Sequence, residues 1–218
     1  EFEGEWKKSI FKELVTLQRG SSPRPIIQYI TKDVTGVNWI KIGDTKYNDK
    51  YIFKTKQKIT TEGAKKSRFV SEGEIILSNS MSYGKPYILK LNGYIHDGWF
   101  VIRKFEKNFD KSYLIQILGS EWVQRQYQRL AAGGVVSNIS SELVNAVKIN
   151  LPPLTEQQKI ASFLSTVDKK IELLTEKKAK LTEYKKGVMQ QLFNGRFEIS
   201  EQSTQDGKIT FIPPTLRF

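Results

Sequence analysis

Over the first 150 or so residues, short apolar runs alternate with clusters of Gly, Asn, Asp and Ser. This is the pattern of brief strands joined by turns. It predicts strands at Trp39–Ile42, Glu74–Leu77, Tyr87–Leu91, Phe100–Phe105 and Val147–Leu151. One segment keeps another period. Between Ser112 and Ala132, Leu114, Ile117, Leu118, Val123, Tyr127 and Leu130 recur at helical spacing, with Gln124, Arg125, Gln128 and Arg129 on the polar side and Gly133-Gly134 as a stop.

Pro152-Pro153 ends that regime, and Thr155 and Gln158 are spaced to cap each other at a helix start. Ile160, Val167, Leu174, Leu181 and Val188 then fall seven apart, with Leu164, Ile171 and Leu192 interleaved, until Asn194-Gly195. The spacing predicts a helix that pairs with another helix through these eight apolar positions. A long helix packed on its own domain is the alternative. Roughly 38 residues at ~1.5 Å rise span about 57 Å, longer than a small domain, so much of the seam lacks an intramolecular partner. Lys178 and Lys185 interrupt the interleaved row. In a parallel homodimer each would face its own copy; antiparallel pairing sets it against an apolar position along which its stem can lie. The expectation is an α+β chain. A mixed short-strand domain with flanking helices covers 1–151, a long coiled-coil spacer and dimerisation helix 152–195, and a linker or tail 196–218.

Composition narrows the function. The 218 residues are 39% hydrophobic, enough for one ordinary core, and 35 Lys and Arg against 23 Asp and Glu give a net charge of +12. A surplus of that size calls for a polyanion on the surface, with nucleic acid the first candidate. No run approaches the ~18 apolar residues of a spanning helix and no signal-like segment opens the chain, so a soluble, cytoplasmic protein is expected, with no membrane partner. Without cysteine, thiol nucleophiles and thiolate metal sites are excluded, and His96 alone cannot build an imidazole cluster.

Nucleotide-binding and zincin motifs lack their minimal parts, and no cofactor is expected. The Pro-Pro pairs in Leu151-Pro152-Pro153-Leu154 and Ile212-Pro213-Pro214-Thr215 lack the polar and aromatic flanks of a DNA amino-methyltransferase loop. Asp33 with Asp44-Thr45-Lys46 imitates the two carboxylates and lysine of a Mg²⁺-dependent nuclease, the enzymatic alternative. The binding constellation is broader. Residues 60–68 form a loop-like basic cluster with Lys65, Lys66 and Arg68, and residues 78–85 a polar loop with Asn79, Ser80, Ser82, Tyr83 and Lys85. Asn, Ser and Tyr suit base edges, while Lys and Arg neutralise phosphate. Ser21, Ser22, Lys46, Arg125 and Arg129 extend the expected DNA-binding set, and Ser137 and Asn138 follow a glycine pair able to offer backbone N–H groups to phosphate. An RNA-binding or scaffolding coiled-coil protein is the other alternative.

The order of motifs carries more. Leu17-x-Arg19-Gly20, then Trp39-Ile40-Lys41-Ile42-Gly43-Asp44, then Glu72-Gly73-Glu74-Ile75-Ile76-Leu77, then Gly133-Gly134 precede Ile149-Asn150-Leu151-Pro152-Pro153-Leu154-Thr155-Glu156-Gln157-Gln158-Lys159-Ile160-Ala161, and Met189-Gln190-Gln191-Leu192-Phe193 follows. This succession resembles one target-recognition domain plus one conserved helical region of the DNA specificity subunit of type I restriction-modification systems. The resemblance implies a non-catalytic subunit reading half of a bipartite duplex-DNA target. It also implies methyltransferase subunits as partners and, through them, restriction subunits. A second copy, or the missing half of a tandem protein, would pair through antiparallel helices. The family often has an Arg-Gly pair where this chain has Asn79-Ser80, so the resemblance supplies the general location of base contacts only.

Overall fold

The computed structural model describes residues 5–46, 49–80, 84–131 and 139–193. In chain order the elements are β1 (Lys7–Ile10), α1 (Phe11–Leu14), β2 (Thr16–Arg19), β3 (Ile30–Thr31), β4 (Val37–Ile40), β5 (Tyr51–Ile52), β6 (Gln57–Ile59), α2 (Thr61–Lys65), β7 (Arg68–Val70), β8 (Ile75–Ser78), β9 (Pro86–Leu89), β10 (Gly93–Ile95), β11 (Trp99–Arg103), α3 (Lys111–Gly119), α4 (Glu121–Ala131), α5 (Ser141–Asn145), β12 (Lys148–Leu151) and α6 (Leu154–Phe193). Short 3-10 turns occupy Ile26–Gln28 and Ile42–Asp44. The chain is α+β, with short strands and a long C-terminal helix.

All four residues of β8 are buried, so this strand is covered on both faces. Its sheet runs β2-β11-β8-β9-β5. On one face Ile75, Leu77, Phe100 and Ile102 meet Phe11, Leu114, Leu118, Tyr127 and Val144 of the helical layer. On the other, Ile76, Tyr87, Leu89, Trp99 and Val101 meet Ile40, Val70 and Ile95 of a second sheet, ordered β3-β6-β4-β10-β7. Each such fully buried side chain contributes roughly 1.5–3 kcal/mol. β1 and β12 form a separate antiparallel pair. The turn into β8 needs Gly73, whose φ of +85° suits the third position of a type II turn. Glu74, the next residue, grips Arg103 of β11 at 2.6 and 3.1 Å, and Arg103 also donates to Gln18 of β2 and the Phe69 carbonyl of β7.

Several boundaries differ from the sequence expectation for local reasons. The strand expected at 39–42 ends at Ile40, because Asp44 accepts the Lys41 N–H at 2.9 Å and draws the chain into a 3-10 turn. The single helix expected over 112–132 is two, α3 and α4. Ser120 breaks it, its hydroxyl accepting the Val123 N–H and its carbonyl the Gln124 N–H, as a serine N-cap does. The basic cluster at 60–68 is not a loop: Thr60 accepts the Gly63 N–H and caps α2, and Arg68 opens β7.

The last helix begins at Leu154, so Thr155 lies inside its first turn rather than at the cap. Gln157, fully buried, anchors the turn instead. Its Oε1 accepts the Asp110 N–H, and its Nε2 donates to the Asn108 and Pro152 carbonyls, all at 2.9 Å. The chain divides into two compact units, Glu1–Ser165 and Thr166–Phe218. Within the first, the opening turns of α6 bring Ala161 into the main core, with Ile160 packed against it.

Candidate nucleic-acid interface

β4 and β10 are parallel neighbours, with Tyr94 opposite Trp39 and Ile95 opposite Ile40, so the two strands end side by side. The chain leaves them at Lys41 and His96, the His96 N–H donating to the Ile40 carbonyl at 3.2 Å. In the other sheet, Arg19 at the end of β2 sits opposite Phe100 of β11, and the Gly20 N–H donates to the Trp99 carbonyl at 2.8 Å. A Cβ on Gly20 would lie 2.2 Å from the His96 carbonyl oxygen. Glycine alone lets residues 20–22 cross the 95–98 loop this closely.

Asp97 organises the crossing. Its carboxylate accepts from the Ser22 hydroxyl at 2.8 Å and from Arg24 Nη2 at 3.3 Å, and its carbonyl accepts from Arg19 Nε at 3.0 Å and Asn79 Nδ2 at 2.8 Å. The Ser21 hydroxyl donates to the Lys66 carbonyl at 3.0 Å, and Arg68 Nε donates to the Arg19 carbonyl at 2.5 Å. Five residues expected from the sequence thus gather at this crossing from separate elements: Ser22 and Asn79 hold Asp97, while Lys66 and Arg68 hold Ser21 and Arg19 in turn. Beside them opens a groove of about 860 Å³, lined among others by Arg24, Ile27, Trp39, Lys41, Gln57 and His96.

Electrostatics favour a negative ligand here. Burial holds His96 below its ordinary pKa; Asp97 opposes this, while Lys41, Arg19 and Arg24 add to the depression. Its Nδ1 accepts the Gly98 N–H at 2.8 Å, so the neutral ring carries its proton on Nε2, 3.4 Å from Asp97 Oδ1. Burial pushes the Asp97 carboxyl up, but the Ser22 hydroxyl, His96 and Arg24 outweigh it and leave the group below the usual carboxylate range. Asp97 is therefore an internal anchor, and the cations around it exceed its charge.

The other expected residues are distributed. Asn79 is 2% exposed, not on an open polar loop: its N–H donates to the Gly98 carbonyl and its carbonyl accepts the Ile139 N–H, so it props up the 95–98 loop from inside. Lys66 lies over the Tyr29 ring at 4.8 Å. Lys65 pairs with Glu62 and Arg125 with Glu121 at exposed sites, where an ion pair contributes under about 1 kcal/mol and leaves both cations open to phosphate. Lys46 and Arg129 are exposed, Ser80 is half-buried, and Lys85 sits 5.1 Å over the Tyr87 ring, burial lowering its pKa. None of these eight lines the groove. Ser82, Tyr83, Ser137 and Asn138 lie outside the described residues.

Asp33 and Asp44 close separate turns. Asp33 accepts the Thr35 N–H and hydroxyl at 2.9 Å, which lowers its pKa, and Asp44 accepts the Lys41 and Lys56 N–H groups at 2.9 and 3.1 Å. Among the described residues no group of three or more His, Cys, Asp and Glu is placed to hold a metal ion. Sequence reasoning missed Arg24, Lys41, Gln57, His96 and Asp97 as a set. The polar break His96-Asp97-Gly98 between two apolar runs marks a turn, but nothing local ties it to residues 22, 41 or 57.

The profile of one family, described as the type I restriction modification DNA specificity domain, matches residues 3–183. The chain belongs to this family. A type I restriction enzyme MjaVIII specificity subunit from Methanocaldococcus jannaschii is 24% identical over 209 residues, covering 89% of this chain and 47% of the relative. A putative MjaX specificity subunit from the same organism is 26% identical over 132 residues, 61% of this chain and 31% of the relative. The chain spans about half, or less, of these relatives. Among solved structures, the HsdS subunit from Thermoanaerobacter tengcongensis superposes with a TM-score of 0.61 at 17% identity, over 90% of this chain and 47% of that one. A chain from a type I R-M system studied for complex assembly gives 0.64 at 18%, over 88% and 47%. At such identities the likeness establishes the fold, which is that of one half of an S subunit.

Proposed function

We propose that this specificity domain reads one half of a bipartite duplex-DNA target and performs no chemistry itself. The observation that carries the reading is the groove at the paired ends of β4 and β10, where hydrogen-bonding and cationic side chains converge in a chain of net charge +12. Gln57, Ser22 and Lys41 suit base edges; Arg24 and Lys66, with Lys46, Lys65, Lys85, Arg125 and Arg129 further out, suit phosphates. Methyltransferase subunits, and restriction subunits through them, supply the chemistry. The long helix is the spacer: through Ile160, Leu164, Val167, Ile171, Leu174, Leu181, Val188 and Leu192 it pairs antiparallel with the equivalent helix of a second copy or second half. Such a reader works beside DNA in the cytoplasm, and among the described residues no helix is long and apolar enough to cross a membrane.

Selection of duplexes from a randomised pool by the purified chain tests this. A short shared block should emerge; Gln57→Ala should change it, while Arg24→Ala should weaken all duplexes alike and lower the salt slope by roughly 0.9. Equal competition by arbitrary RNA would refute duplex reading. Mg²⁺-dependent cleavage lost in Asp44→Ala would refute the non-catalytic assignment.

A further inference from the structure

Ile27 lines the groove beside β4 and β10 yet is 83% exposed. Its neighbour Ile26 packs into the small core of Trp39, Ile59 and Ala64, which leaves Ile27, next on the same 3-10 turn, facing solvent. The turn is held at both ends. The Tyr29 N–H closes on the Ile26 carbonyl at 2.9 Å, the Tyr29 carbonyl accepts the Thr60 N–H at 2.8 Å, and Ser22 is tied to Asp97 upstream. Single exposed isoleucines are ordinary on protein surfaces. This one continues an exposed apolar run with Pro25 and Ile30, along a groove that also holds Arg24, Lys41 and Gln57.

Gln57 stands on β6, opposite Trp39 of β4. Its main-chain carbonyl accepts the Thr55 hydroxyl at 3.1 Å, but among the described residues its side-chain amide has no hydrogen-bond partner. A half-buried amide with both a donor and an acceptor unused suits a ligand edge that offers both. In the major groove of a duplex, one pair meets the amide and the isoleucine together. Adenine presents the N7 acceptor and N6 donor that a glutamine amide bonds bidentately, and thymine carries an apolar group, its 5-methyl. Guanine would turn two acceptors, N7 and O6, toward the amide and leave Ile27 with no methyl to cover.

We propose that the groove reads an A·T pair, the Gln57 amide bonding adenine N6 and N7 while Ile27 covers the thymine methyl. The proposal rests on the duplex reading above and adds the identity of one base pair. Arg24 and Lys41, at the same groove, supply the positive charge that holds the duplex there.

The test titrates the chain with duplexes carrying the selected block, each A·T pair replaced in turn by A·U or by 7-deazaadenine·T. At one and the same pair, loss of the thymine methyl should weaken binding about fourfold, the worth of one buried methyl-sized group, and loss of N7 about fivefold, the worth of one hydrogen bond. These changes perturb only the DNA, so a misfolded protein cannot mimic them. Ile27→Ala should abolish the response to uracil and keep that to 7-deazaadenine, and Gln57→Ala should do the reverse. Val34→Ala, at a residue 89% exposed but outside the groove, should keep both responses. A block without any A·T pair, a wild type indifferent to either analogue, responses at two different pairs, or a response that persists in the variant expected to abolish it overturns the A·T assignment and leaves duplex reading standing. Failure of any shared block to emerge overturns both.

Discussion

Gln157 is the sharpest test of how the recognition domain holds its helix. It is fully buried and makes three hydrogen bonds of 2.9 Å, accepting from the Asp110 N–H and donating to the Asn108 and Pro152 carbonyls. Gln157→Ala strands all three partners. A buried unsatisfied group costs about 1–3 kcal/mol, and a water admitted to the void can re-engage some of them, so the expected loss is about 3 kcal/mol. With a urea slope of about 2 kcal/mol/M, the midpoint should fall by roughly 1.5 M at unchanged slope. Gln157→Glu sharpens the argument. Its carboxylate would point an acceptor at two carbonyl oxygens, raising its pKa above the ordinary value of about 4.3, so its penalty is full above that raised pKa and eases as pH falls through it. The neighbouring Gln158 is exposed, and Gln158→Ala serves as the near-neutral control. Urea unfolding of the three variants, with Gln157→Glu at pH 5 and 7, is the assay. A Gln157→Ala loss below about 1 kcal/mol, or a Gln157→Glu penalty that ignores pH, would refute the claim that this amide seals the helix start.

Three further outcomes follow from the same geometry. Glu74→Ala should cost about 2 kcal/mol by leaving Arg103 without its carboxylate; burial pushes the Glu74 carboxyl up, but its contacts with Arg103 and the Ser71 N–H outweigh this and hold it below its ordinary pKa, so the wild-type advantage should be present above about pH 4.5 and lost as pH falls through the lowered value, as chemical denaturation across pH will read. His96, kept neutral by burial and nearby cations, should cost stability as pH drops below about 6.5, while phosphate bound in the groove raises its pKa, so DNA affinity should climb from pH 8 to 5.5 in wild type and stay flat in His96→Gln. Gly20→Ala forces a Cβ against the His96 carbonyl, and should destabilise by roughly 1–3 kcal/mol and weaken DNA binding at a temperature where the variant remains folded, measured by thermal melts and anisotropy.

The features legible in the sequence are those whose cause is local or periodic. The seven-residue spacing from Ile160 to Val188 marks α6 unaided, because one helix face needs only its own residues to declare itself. The apolar runs at 75–77, 87–91 and 100–105 mark β8, β9 and β11 for a similar reason, and the basic surplus points to a polyanion. Strands such as β3, β5 and β10 escape the pattern: at two or three residues they carry no period and exist because a neighbouring strand completes their hydrogen bonds. Asn79 is expected on an open loop, since its composition says polar, but the partners of its side chain (Asp97) and of its backbone (Gly98 and Ile139) are distant in sequence and draw it inside. The groove itself depends on β4 lying parallel to β10, and on a glycine at position 20 that lets β2 run on across the 95–98 loop. Residue types can announce a charge or a turn, but which turns meet is decided by long-range strand pairing and core packing, and those energies belong to no single stretch of the chain.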